Sequence, residues 1–268
     1  EVRSCLRRSA HFFGAALPAC GVAARLAIFD PAPALTVDPQ RLHVIYNSLD
    51  HSDQTANRES LSLGQLEDLK TGLFENPALP LLCFIGRLTW IKRLDLLVDA
   101  TRLLHERGLL VNLLLIGDGE SRDSLEKQVA GLDLQRYTRF IDETYDEESI
   151  APLISISDVC VSPGDVGLTA MHAMVYGVPV ISHDDPYRQM PEFEVILPGR
   201  TGALFKRGSA ASLADTIDNW LRECASRRGE VRQACIETIA QHYTPENQAR
   251  ILKQVLLASI ADGNAREP

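Results

Sequence analysis

The stretch Leu81-Leu82-Cys83-Phe84-Ile85-Gly86-Arg87-Leu88-Thr89-Trp90-Ile91-Lys92 decides how this chain folds. Its first half is apolar at every position rather than at alternate ones, and it stops at a glycine. Such a run fits a strand buried on both faces, as in a parallel sheet. Lys92 is expected to open a helix over 92–107. Leu97, Ala100 and Leu104 mark one stripe of that helix, and Gly108 supplies its stop.

The same unit recurs on both sides. Downstream, Leu110–Ile116 reads as a strand closed by Gly117-Asp118-Gly119, followed by a helix over Glu120–Ala130. Arg139–Ile141 is a short strand before a helix over Glu147–Ile156. Val159–Val161 is a strand before a helix over Val166–Tyr176, and Val178–Ile181 is the next strand. Ser209–Leu221 is a helix with Leu213, Ile217 and Leu221 on one face. Upstream, Leu42–Tyr46 has a short strand pattern ending in the turn Asn47–Asp50. A polar stretch over 51–60 precedes a helix over Leu61–Phe74.

Strand and helix alternating at this spacing predict an α/β domain, a doubly wound parallel sheet with helices on both faces and right-handed connections. It spans 42–243. Residues 1–41 read as the remnant of a preceding domain or a linker. Residues 244–268 read as a C-terminal helix and tail, with Thr244 as N-cap, Pro245 at the first helical position, and Ile251, Val255 and Leu256 as its stripe.

The chain of 268 residues carries 27 basic and 36 acidic side chains, a net charge of −9, which gives it no general attraction for nucleic acid or anionic lipid. Any phosphate must be held by a local cluster. The six cysteines form no C-x-x-C pair, which argues against a zinc site. Cys83 and Cys160 lie in apolar runs as small core residues, a usage that suits a reducing cytoplasm. The sequence starts at Glu1, shows no signal peptide and no long apolar run, and reads as a fragment or processed chain.

Ligands of open α/β sheets bind at the carboxyl ends of the strands. Here those ends carry Gly86-Arg87, Gly117-Asp118-Gly119, Ser162–Gly167 and His183-Asp184-Asp185. Arg87 and Lys92 fit a diphosphate clamp, or equally a solvated surface pair. Trp90 reads as packing rather than a sugar platform. The turn bracketed by Gly164 and Gly167 fits an anion site at a helix start, or simply a tight strand-to-helix turn. Gly117 fits a plain turn or a close backbone approach to a ligand. His172, with Met171, Ala173 and Met174 around it, fits a satisfied core histidine or a ligand contact.

In order, the segments Val44–Asp50, Gly86-Arg87…Lys92, Leu115–Gly119, Ser157–Pro163 and Ala173-Met174…Tyr176–Ile181 resemble the C-terminal domain of family 4 glycosyltransferases of the GT-B fold, from about Leu42 to Ile260. Within that family the stretch Ser162–His172, with Gln189–Glu194 downstream, is similar to a bacterial surface-polysaccharide subgroup. The resemblance implies a retaining hexosyl transfer from a nucleotide diphosphate sugar to a glycan or lipid-linked acceptor, with this chain as the donor-binding half. It implies Arg87, Lys92 and Asp165 as the residues acting on the reacting groups. It implies a donor site of Gly86, Arg87, Lys92, Gly117, Gly164, Asp165, Val166, Gly167, Leu168, Thr169 and His172. No metal and no permanently bound cofactor are implied. Cytoplasmic location follows, with peripheral attachment to the inner membrane face through an upstream domain. The family's two glutamates fall on Gly164 and His172, with Asp165 beside the first and His172 meeting the ribose. The loop Asp142–Glu148 is expected near the base. A non-catalytic nucleotide-sugar-binding module and a GT-B nucleotide-sugar epimerase are the alternatives.

Overall fold

Six parallel strands make one sheet: β1 (Leu81–Ile85), β2 (Asn112–Ile116), β3 (Thr138–Ile141), β4 (Val159–Ser162), β5 (Val180–His183) and β6 (Gly202–Phe205). This is a computed structural model, and it describes residues 43–264. The expected leading segment 1–41, with Cys5 and Cys20, lies outside the described residues.

The strand order is β3-β2-β1-β4-β5-β6. β1 pairs with β2 from Leu81↔Asn112 to Ile85↔Ile116, and on its other side with β4 at Cys83↔Cys160. Every residue of β1, β2, β4 and β5 is buried, as expected of largely apolar strands whose two faces are both covered by helices.

Nine helices surround the sheet among the described residues: α1 (His51–Ser60), α2 (Leu63–Leu73), α3 (Leu94–Glu106), α4 (Arg122–Gly131), α5 (Glu147–Ser155), α6 (Thr169–Val175), α7 (Ala210–Cys224), α8 (Arg228–His242) and α9 (Pro245–Asn264). The chain moves outward from β1 to β3 and then back across to β6. Right-handed crossovers therefore put the helices of the two journeys on opposite faces. The contacts agree: α3 packs on α4 and α7, whereas α1 packs on α5 and α6, and α6 on α8.

Several expectations change. Residues 43–46 form no strand, because Tyr46 stacks on Tyr243 at 4.6 Å and its carbonyl accepts from Gln248, so the segment joins the C-terminal helices rather than a sheet edge. The polar stretch 51–60 is helical, started by the Asp50 carboxylate accepting from the Asp53 amide. Lys92 does not open a helix. It ends a 3-10 turn, Trp90–Lys92, and Arg93 at φ 50° turns the chain before α3 begins.

Strand order reverses between β1 and β4, which puts the crevice of such a sheet at their carboxyl ends. There the β1 loop is clasped between two others. Leu88 donates to the Asp118 carbonyl at 2.9 Å and accepts from the Ser121 amide at 2.9 Å. On the other side Gly164 donates to the Lys92 carbonyl at 2.8 Å, and Asp165 to that of Ile91 at 3.3 Å. These approaches leave no space for a side chain. A Cβ at Gly164 would lie 1.9 Å from the Ile91 oxygen, and one at Gly117 would lie 2.1 Å from that of Gly86.

Gly164→Ala is expected to cost about 1–3 kcal/mol, because backbone rather than a side-chain tip must yield. Gly72→Ala, in α2 with nothing within 4 Å of the added carbon, is expected to add about 0.5–1 kcal/mol. Urea unfolding of both variants checks the contrast, and equal effects would contradict the clasp.

Candidate functional site

The site is built by the loops that follow β1 and β4. After β1 the chain leaves at Gly86, buries Leu88 and presents Arg87 to solvent. Among the described residues the Arg87 guanidinium makes no hydrogen bond or ion pair, so its charge is available at the strand end. Trp90, expected to pack, is instead 60% exposed on the 3-10 turn. Lys92 is half-buried, and its ammonium donates to the Asp165 carbonyl at 2.5 Å. Burial holds this ammonium below the ordinary lysine value, against the upward pull of the Asp165 and Glu192 carboxylates. The same nitrogen would lie 3.6 Å from a Cβ at Gly167, so Lys92 sits over the whole turn from Asp165 to Gly167.

The β4 loop is fixed by a buried amide, Gln189, which the sequence marked only as part of a family resemblance. Gln189 accepts from the Val166 amide at 3.0 Å, and its own amide donates to Ser182 Oγ at 2.6 Å and to the His183 carbonyl at 3.3 Å. Ser182 passes the connection on to the Ser162 carbonyl at 2.8 Å. Because Val166 is held this way, the following helix starts at Thr169 rather than at Val166. The Thr169 hydroxyl is also occupied, donating to the Ile85 carbonyl at 2.8 Å.

The accounting of amides narrows the anion site. Gly164, Asp165 and Val166 spend their N–H groups on protein acceptors. Among the described residues the amides of Gly167, Leu168 and Thr169 donate to none, and Gly167 takes φ 54° to turn the chain there. Three amides, Lys92 and Arg87 thus leave donors unspent at the carboxyl ends of β1 and β4. A neighbouring cavity of about 150 Å³ also opens here, beside Asp165 and His183. Its cations, Arg93 and Arg207, are already matched by Asp95 at 2.9 Å and Asp185 at 3.6 Å.

His172, one turn into α6, is part-buried rather than packed in apolar surroundings. Its Nε2 lies 2.8 Å from Oε1 of Glu147, the first residue of α5. Glu147 falls inside the loop expected near the base, but nothing in its spacing announced this partner. Glu192, a buried carboxylate of the region, accepts from the Asn47 side chain at 3.1 Å. It ties the Asn47–Asp50 segment to the crevice. Among the described residues no group of three or more His, Cys, Asp or Glu side chains is arranged to hold a metal ion. No described helix is long and apolar enough to cross a membrane.

The family model described as glycosyl transferases group 1 matches residues 67–242, from within α2 to the end of α8. Among curated relatives, the GDP-mannose-dependent alpha-(1-6)-phosphatidylinositol dimannoside mannosyltransferase of Mycobacterium tuberculosis is 30% identical over 163 residues, covering 58% of this chain and 41% of that protein. Glycogen synthase 2 of Nitrosococcus oceani is 27% identical, over 74% of this chain and 41% of its own length. The chain thus spans less than half the length of these relatives. The fold matches the structure of Anabaena HepE in complex with UDP, with a TM-score of 0.64 at 21% identity, over 82% of this chain and 57% of that one.

Gln189→Leu keeps the volume but leaves the buried Val166 amide without its acceptor and the Ser182 oxygen without its donor. A loss of about 1–3 kcal/mol is expected, with faster amide exchange at Val166. Native-state hydrogen exchange measures both, and a wild-type exchange rate at Val166 would contradict this role.

Proposed function

The chain belongs to the glycosyl transferases group 1, and from that premise we propose that it is the donor-binding half of a retaining family 4 glycosyltransferase of the GT-B fold, of the bacterial surface-polysaccharide type. In this reading residues 42–243 bind a nucleotide diphosphate sugar, and the complete enzyme moves its hexosyl group to a glycan or lipid-linked acceptor. One observation carries the reading: Arg87, Lys92 and the undonated Gly167 and Leu168 amides share the crevice where strand order reverses.

Breaking a sugar–diphosphate bond leaves negative charge on the departing phosphate. A site that accelerates the step must stabilise that charge more than the charge of the intact donor. Arg87 supplies a planar fork that can hold two phosphate oxygens, and Lys92 a point charge. Lys92 is already oriented by the Asp165 carbonyl, and its partial burial strengthens its field on a nearby anion. The Gly167 and Leu168 amides add donors that need no reorganisation. Asp165, at the turn, faces the sugar side, and His172 meets the ribose. The relatives' names support the donor class: one is GDP-mannose-dependent, and the HepE structure holds UDP.

Arg87→Ala is expected to weaken UDP and GDP binding at least tenfold, as removal of a charged hydrogen-bond partner worth about 1.5–3 kcal/mol requires. Calorimetric titration of the variant and the parent reads this directly. Equal affinities would exclude Arg87 from the phosphate clamp.

A further inference from the structure

A single carboxylate oxygen gathers side chains from two other helices. Oε1 of Glu147, on α5, lies 2.8 Å from Nε2 of His172 on α6, and accepts from the hydroxyl of Tyr176, the residue that caps α6, and from Gln54 Nε2 of α1 at 3.4 Å. The side chains of Glu147 and His172 are 19% and 18% exposed, so they are sheltered by the helices yet open to a ligand.

The chemistry of this contact fixes a proton. An ionised carboxylate can only accept, so the hydrogen on the shared edge belongs to Nε2 of the imidazole. Burial alone would raise the Glu147 carboxyl. The hydrogen bonds from His172, Tyr176 and Gln54 and the charge of His172 outweigh burial and hold it below the ordinary glutamate value. The carboxylate in turn keeps the Tyr176 phenol protonated, pushing its ionisation upward together with burial. With Nε2 committed as donor, the neutral form of the His172 ring has an acceptor at Nδ1, whereas the imidazolium would donate there. Among the described residues no protein group meets that nitrogen.

We propose that Glu147 is a positioning residue for the donor site: it holds His172 in the Nε2–H form, so that Nδ1 stands as an acceptor for a ribose hydroxyl of the nucleotide. This rests on the donor-site reading above. α6 carries His172 one turn beyond Leu168, whose free amide is assigned to phosphate, and a ribose diol is the hydroxyl-bearing part of a nucleotide next to its phosphates. The pair presents one acceptor backed by one full negative charge. A carboxylate reaching the ligand directly would offer the same chemistry, and here the imidazole carries it outward from a buried anchor. The other tautomer would turn an Nε2 lone pair toward the carboxylate and an Nδ1–H toward the hydroxyl, so it is disfavoured at the anchor.

Two measurements on the full chain test this. Nitrogen-15 spectra of the histidine ring should show His172 as the Nε2–H tautomer in the parent. Glu147→Gln, of the same size but able to donate as well as accept, should mix the tautomers, and Glu147→Asp should restore part of the preference. Calorimetry with UDP and GDP against their 2′,3′-dideoxy forms should show the ribose hydroxyls contributing at least tenfold in the parent, and less than threefold in Glu147→Gln and His172→Phe. An unchanged tautomer or an unchanged ribose preference in Glu147→Gln overturns the positioning role, while leaving the donor-site reading intact. Failure of the parent to bind either diphosphate instead overturns the donor-site reading, and the ribose role with it.

Discussion

The structure depends on a clasp of backbone against backbone. The loop after β1 lies between the loops after β2 and β4 and bonds to both, through Leu88 on one side and Ile91 and Lys92 on the other. Atoms brought this close leave no room for a Cβ at Gly117, Gly119 or Gly164. Buried backbone groups need partners, and the three loops supply them to one another in place of water. The result is a rigid floor at the carboxyl ends of β1, β2 and β4.

That floor determines what can be offered to a ligand. Loops usually provide mobility, and an anion site built on mobile amides would lose much of its binding energy to ordering. Here the amides of Gly164, Asp165 and Val166 are committed to holding the turn, Gln189 seals it from beneath, and the ammonium of Lys92 crosses its top. The groups left over are set by the groups already used. Gly167, Leu168, Thr169 and Arg87 carry donors that the protein does not consume. Preorganised donors of this kind are what stabilisation of a leaving diphosphate requires.

The sheet was largely legible in the sequence, because strands buried on both faces write unbroken apolar runs such as Leu81–Ile85 and Leu113–Ile116. The edge strand Gly202–Phe205 was missed: it is short, begins with glycine and is only half-buried. Helix α8 was missed because Arg228–His242 is predominantly polar, and it is held by packing on α6 rather than by a strong stripe of its own. The start of α6 was misread because nothing local shows that Val166 is held by a residue 23 positions away. In the site, Arg87 and Lys92 could be found because strand ends are where such a sheet binds. The Glu147–His172 pair could not, since it joins two helices across 25 residues and depends on how α5 and α6 pack. The glycines were legible as special but not in purpose. Gly117 and Gly164 admit a neighbouring loop rather than forming turns alone.

The central claim is that the crevice between β1 and β4 holds the diphosphate of a nucleotide. Titrating the labelled chain with UDP and GDP while following backbone amide signals tests it most directly. The account predicts that the largest saturable shifts fall on Gly167 and Leu168, with Arg87 and Lys92 next. Shifts centred on the cavity beside Arg93 and Arg207, or no saturable shift with either nucleotide, would contradict it.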